Sequence, residues 1–305
     1  MRNICIPLAL AALLPSAALA QTDPTSEKLL VAVPDAHIDT LQELEAFTKV
    51  IRGLPVEERA DALLAVRIDP RIIGGKTVRI QDHPWQVALI EGGTVLRYQF
   101  CGGSLIAPNV VITAAHCIDN SIVNGDAANV EIVAGTALYP ERGERLKVQA
   151  IYVHPQWDSN SQDYDFAILK LAGDSTAGHP VALGRDSPAA GTRVWVTGWG
   201  ALTEGAQGSP RLMGVETHIV DNDTCNLKES YAGSVTPRML CAGEREGALD
   251  SCQGDSGGPL TSWTTGTPQL IGVVSFGEGC GRRLKYGVYS RISNVTPWIE
   301  SFLQH

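Results

Sequence analysis

The sequence predicts an all-β fold built from short antiparallel strands, and three observations predict it. Apolar runs of strand length recur between Gly, Pro and Asn turns at short intervals. Glycine supplies 31 of the 305 residues, and aromatic and charged residues are held to 6% and 19%. That composition suits a strand-rich, turn-rich globule, and the length exceeds one average domain. The formal net charge is −9, with 17 basic against 23 acidic residues over 72–305 and 6 against 10 over 21–71. Neither part holds a long basic run, so no nucleic-acid partner is expected.

In chain order, residues 1–20 read as a signal peptide. Arg2 precedes an apolar stretch from Ile4 to Leu14, and Ala18-Leu19-Ala20 forms a small-residue cleavage site. The apolar core is shorter than the ~20 residues of a spanning helix, and Pro7 and Pro15 interrupt it. Cleavage and a secreted or periplasmic location are therefore expected, with no membrane attachment afterwards. Residues 21–71 read as a partly helical propeptide. Leu41, Leu44, Phe47, Val50 and Ile51 recur at amphipathic helical spacing behind an Asp39/Gln42 capping box, and Leu63, Leu64 and Val66 repeat the pattern over Glu57 to Arg67. Gly53-Leu54-Pro55 would join the two helices. Further on, Val110-Val111-Ile112 reads as a buried strand, and Asp165 opens the apolar strand Phe166 to Leu171. The end of the chain, 293–305, reads as a helix with Trp298, Ile299, Phe302 and Leu303 on its packed side.

Candidate chemistry concentrates in Asp250-Ser251-Cys252-Gln253-Gly254-Asp255-Ser256-Gly257-Gly258-Pro259. A serine hydroxyl attacks only if a base removes its proton as the bond forms. The surrounding glycines allow a tight turn in which the N–H groups of Gly254 and Ser256 would hold an oxyanion. Of seven histidines, only His116, at the end of the first strand in Thr113-Ala114-Ala115-His116-Cys117, sits in a suggestive setting for that base. His37, His83, His154, His179, His218 and His305 read as surface or satisfied core residues. Asp165 would be carried into the interior, where an imidazole N–H is a suitable partner for its carboxylate. Asp163 is the rival candidate and reads as a solvated loop residue.

Removal of the signal peptide takes Cys5 and leaves six cysteines, an even set that favours three disulfides in an oxidising compartment. Six cysteines allow 15 pairings. No pair has the C-x2-C spacing of structural zinc sites, so no metal or other cofactor is expected.

Over 72–305, about three quarters of the chain, the sequence resembles the chymotrypsin-like serine proteases, in their trypsin-like branch. The resemblance rests on Ile72-Ile73-Gly74-Gly75, the His116 motif, the Asp165 segment, Thr197-Gly198-Trp199-Gly200, the Ser256 motif, Val274-Ser275-Phe276-Gly277 and Trp298, all in family order. The order His, Asp, Ser distinguishes this family from other folds that carry the same three groups. The resemblance implies two six-stranded antiparallel β-barrels, at 72–184 and 185–292, with the active site in the cleft between them and a C-terminal helix over 293–305. It implies His116, Asp165 and Ser256 as the catalytic set, in the roles of the worked example of this family. It pairs Cys101 with Cys117, Cys225 with Cys241, and Cys252 with Cys280.

Further expectations follow from the same resemblance. Asp250 would lie at the base of the primary pocket, Gly277 and Gly287 in its walls, and Ser275 to Gly277 along an extended substrate. Substrates are then proteins or peptides with Arg or Lys before the scissile bond. Protein protease inhibitors are further candidate partners, and a monomer is expected. Cleavage between Arg71 and Ile72 would free an α-ammonium that pairs with Asp255, making the chain a zymogen. Phe276 departs from the Trp usual at its position and leaves the outer subsite open.

Overall fold

The computed structural model describes residues 37–38, 49, 67–68, 75–93, 99–138, 142–247 and 249–303. Strands β1 (His37–Ile38) and β2 (Arg67–Ile68) pair in parallel. Arg67, expected at the end of a second helix, thus lies in a strand; Lys49 is helical, and the remainder of the expected helices lies outside the described residues. Strand β3 (Lys76–Thr77) follows.

The first barrel comprises β4 (Gln86–Glu91), β5 (Gln99–Ala107), β6 (Val110–Thr113), β7 (Val130–Ala134), β8 (Glu144–Val153) and β9 (Ala167–Leu171). It closes in the order β4-β5-β6-β9-β8-β7, every pair antiparallel. The apolar run Val110 to Ile112 is buried along its whole length, which is why it lacks the alternation of a half-exposed strand. Inward residues such as Val87, Leu89, Leu105, Ile112, Ile132 and Leu169 are fully buried. Each is worth roughly 1.5–3 kcal/mol relative to an exposed side chain.

After β10 (Ala182–Leu183), the second barrel comprises β11 (Arg193–Gly198), β12 (Met213–Val220), β13 (Met239–Ala242), β14 (Pro259–Ser262), β15 (Gln269–Phe276) and β16 (Gly287–Arg291). The ring β15-β14-β11-β12-β13-β16 closes through pairing of β15 with β16. The molecule therefore has the two six-stranded antiparallel barrels that the resemblance implies. Two short strands cross the simple division between them: β3 pairs with β12, and β10 runs parallel to β15. The barrels also join through polar contacts, Thr197 Oγ1 donating to Gln86 Oε1 at 2.6 Å and Gly102 N–H donating to the Ser256 carbonyl at 2.7 Å.

The C-terminal helix is shorter than its apolar periodicity suggests. The α-helix spans Thr296–Glu300, with Pro297 in its first turn, where a missing N–H costs nothing. A 3-10 turn at Ile292–Asn294 precedes it. Ile292, Val295 and Ile299 join the core cluster of the first barrel, with Trp298, Phe302 and Leu303 packed against it. His83 is neither a surface nor a satisfied core histidine. It is buried among Trp85, Trp195 and Trp263, and its Nδ1 has no hydrogen-bond partner.

Candidate active site

Strand β6 ends at Thr113, and a 3-10 turn over Ala115–Cys117 presents His116 immediately after it. The disulfide Cys101–Cys117 ties that turn to β5. Asp165 lies two residues ahead of β9, the neighbour of β6 in the barrel, and its side chain is completely buried. One oxygen accepts the His116 backbone N–H at 2.9 Å, and the other lies 2.7 Å from His116 Nδ1. An ionised carboxylate can only accept, so Nδ1 carries the hydrogen and Nε2 keeps its lone pair. A third donor comes from the other barrel, the Ser275 hydroxyl at 2.5 Å from Asp165 Oδ2. Three donors compensate a carboxylate that has lost all its water.

Ser256 lies in the turn between β13 and β14. Gly257, at φ +77°, lets this turn press against the end of β6: a Cβ there would overlap Thr113 Oγ1 and the Gly102 carbonyl. Ser256 Oγ makes no hydrogen bond to His116 here. Gly254 has φ +97°, and its carbonyl accepts from Gln99 Nε2 at 3.0 Å. The amide N–H groups of Gly254 and Ser256 have no acceptor among the described residues.

Asp255 is half-buried, and its oxygens accept from Gly200 N–H at 2.8 Å and Cys252 N–H at 2.9 Å. Burial pushes its carboxyl up to about 6, against the opposing pull of the two amides. No cation lies within ion-pair distance among the described residues. Gly198 and Gly200 flank it, and a Cβ on either would run into the carboxylate, which explains the two glycines of Thr197-Gly198-Trp199-Gly200. A cavity of about 40 Å³ adjoins it, lined by Gly75, Gly198, Asp250, Asp255 and Gly281 among others. Arg71 and Ile72 lie outside the described residues.

Asp250 is a second half-buried acid. Ser251 N–H donates to it at 2.8 Å and Gly281 N–H at 3.1 Å, yet burial pushes its carboxyl up to about 7. Gly287 faces it: a Cβ there would come within 2.7 Å of Asp250 Oδ1 and 2.8 Å of the Tyr289 hydroxyl. Tyr289 is buried, and its hydroxyl has no hydrogen-bond partner. At Gly277 a Cβ would meet nothing closer than 3.7 Å. Phe276 packs edge-on against Tyr231, with ring centroids 5.9 Å apart.

All three disulfides form as the resemblance pairs them, Cys101–Cys117, Cys225–Cys241 and Cys252–Cys280. One cluster of potential metal ligands, Cys101, His116 and Cys117, has both its sulfurs joined in a disulfide. The solvated-loop expectation for Asp163 is overturned. It is buried, accepting from Thr236 Oγ1 at 2.9 Å and Arg238 Nε at 2.7 Å. Sequence reasoning also missed the hydroxyl of Ser275 and the amide of Gln99. Neither carries a local signal, because its partner lies more than 100 residues away.

Comparison with known proteins agrees with this architecture. The family model described as Trypsin matches residues 72–299. The chain is 38% identical over 243 residues to Trypsin 5G1 of Aedes aegypti, covering 77% of this chain and 86% of that one. It is 37% identical over 238 residues to Hypodermin-B of Hypoderma lineatum, covering 76% and 88%. With the trypsin of Sus scrofa it shares 35% over 237 residues, covering 76% and 95%. With the family matched over most of the chain, the two barrels closed and the three disulfides formed, this chain belongs to the trypsin family of chymotrypsin-like serine endopeptidases.

Proposed function

We propose that the chain is an exported zymogen, activated by cleavage between Arg71 and Ile72, that hydrolyses peptide bonds after Arg or Lys. The observation that carries the specificity is Asp250: a half-buried carboxylate, held by two backbone amides and largely stripped of water, with no cation beside it among the described residues. A desolvated carboxylate at the base of a pocket favours a long cationic side chain, and Gly277 and Gly287 leave room for one.

In the proposed reaction Ser256 Oγ attacks the peptide carbonyl while His116 Nε2 takes its proton. Asp165 holds the imidazole in the required tautomer and stabilises its cation. The carbonyl oxygen becomes an oxyanion held by the N–H groups of Gly254 and Ser256, which no described acceptor occupies. His116 then protonates the leaving amine as the C–N bond breaks, and water repeats the attack on the acyl-enzyme. Replacing Ser256 by Ala is expected to lower kcat by about 10⁴-fold or more, read by initial rates on a peptide amide, with circular dichroism unchanged.

Activation follows from the other acid, Asp255. Asp255 adjoins a cavity that Gly75, three residues after Ile72, also lines. A new ammonium at Ile72 would meet that carboxylate and fix the turn carrying Gly254 and Ser256. Export is supported by the signal-like start, by the three disulfides, and by the lack of a described helix long and apolar enough to cross a membrane. Sequencing the N-terminus of active material tests the mechanism, with Ile72 as the expected first residue; any other start overturns it. Because the activation bond follows an arginine, active enzyme is expected to cut a Ser256→Ala proenzyme at Arg71. Persistence of that proenzyme would assign activation to another protease.

A further inference from the structure

The segment that delivers Asp165 to His116 is conformationally unusual. Gln162 and Tyr164 both have positive φ, 57° and 52°, although neither is glycine. A bulky side chain there is strained and persists only where its surroundings fix it. The Phe166 N–H closes back on the Tyr164 carbonyl at 2.7 Å, a tight turn between the barrel loop and β9.

Much of that fixing comes from the other barrel, from the loop that leads into β13. Arg238 Nε lies 2.7 Å from Asp163 Oδ2, and its Nη2 lies 2.6 Å from the same oxygen. The guanidinium also sits over the Tyr164 ring, 5.4 Å from its centroid, and His154 stacks on the same ring at 4.7 Å. Thr236 Oγ1 donates to the second oxygen of Asp163 at 2.9 Å and accepts the Arg238 N–H at 3.2 Å. Arg238 is itself anchored, its carbonyl accepting Arg291 N–H from the end of β16 at 2.9 Å.

From this geometry we propose that Arg238 is a positioning residue for the acyl-transfer site. By gripping Asp163 and Tyr164 across the barrel interface, it holds the strained turn in the one conformation that puts both oxygens of Asp165 on His116. The proposal rests on the catalytic reading of Asp165 given above. Without the grip, Tyr164 relaxes toward negative φ, and Asp165, one residue on, loses its alignment with Nδ1 of the imidazole. Arg238 touches neither substrate nor reacting atoms, so its loss acts on turnover rather than on binding.

The test uses the full chain after activation, with Arg238→Met, Arg238→Lys, Asp163→Asn and the control Asp165→Asn. Arg238→Met is expected to lower kcat on an arginine peptide amide about 10- to 100-fold with KM within about threefold, as for a misplaced catalytic group. Arg238→Lys should recover part of the loss, since it keeps the charge but not the fork. Should Arg238→Met not fold, Asp163→Asn, which keeps the size and the Thr236 bond, is expected to show the same pattern more weakly. A lower melting temperature with unchanged kcat would overturn the proposal, leaving Arg238 a strut between barrels. If instead Asp165→Asn keeps wild-type kcat, the catalytic reading itself fails, and this inference with it.

Discussion

Two half-buried carboxylates, separated by the four residues Ser251 to Gly254, divide the proposed tasks of pocket and switch. Asp250 rests on backbone amides alone, and burial holds its carboxyl near 7. In the empty pocket it is therefore largely neutral below that pH, whereas a cationic substrate side chain requires the ionised form. Binding on the acid side must expel a proton, so KM for an arginine peptide is expected to rise as pH falls below about 7. Replacing Asp250 by Ser should remove that dependence and reduce the preference for Arg over Ala by about 10²- to 10³-fold, as for the loss of one partner of a buried ion pair. Steady-state kinetics across pH 5.5–8.5 checks both. Gly287→Ala places a methyl group against Asp250 and Tyr289, and should lower kcat/KM for Arg substrates by about tenfold or more, together with a modest fall in melting temperature from the overlap. The tasks expected of these residues were legible in the sequence only through the family resemblance, which places Asp250 six residues before Ser256. Asp163 was not, because its burial depends on Arg238, a partner 75 residues along the chain.

At the level of elements, local patterns read well where burial is one-sided and less well where a tertiary partner decides. The run Val110 to Ile112 and the strand behind Asp165 form as their apolar character predicts, side by side in the first barrel. The final helix was overextended by periodicity: Trp298, Ile299, Phe302 and Leu303 do pack inward, but beyond Glu300 the chain continues in turns that present the same residues to the core. His83 shows a context that single residues cannot reveal. Burial in its tryptophan cage pushes the imidazole down to about 4. A histidine depressed in the folded state contributes stability that is complete above its unfolded pKa of about 6.5 and is lost as pH falls toward 4. The loss amounts to about 3 kcal/mol at most. His83→Leu should therefore show a smaller drop in urea midpoint between pH 7 and pH 4.5 than the wild type.

Across the whole molecule, the two barrels meet at a site to which both contribute. In the proposed reaction the first supplies His116 and Asp165 and the second Ser256, and the Ser275 hydroxyl of the second reaches back to Asp165. The proposed activation belongs to this scale, since Asp255 is linked to Gly200 in one loop and Cys252 in another. Its carboxyl is raised to about 6, so ionising it in the uncleaved chain costs stability. That cost is absent below the unfolded pKa near 4 and grows to about 3 kcal/mol as pH rises through 6. After cleavage the Ile72 ammonium is expected to offset it. Denaturant unfolding of the Ser256→Ala proenzyme and of its cleaved form, at pH 4.5 and pH 7, should therefore show the cleaved form gaining relative stability at the higher pH. The opposing contribution of His83 is common to both forms and cancels in the comparison. The most direct measurement of the central claim is kcat/KM of the activated enzyme on four peptides that differ only in Arg, Lys, Phe or Ala before the cleaved bond. The account predicts that Arg and Lys exceed Phe and Ala by about 10²-fold or more, with the advantage abolished by Asp250→Ser. Equal rates on all four peptides, or a preference that survives Asp250→Ser, would contradict it.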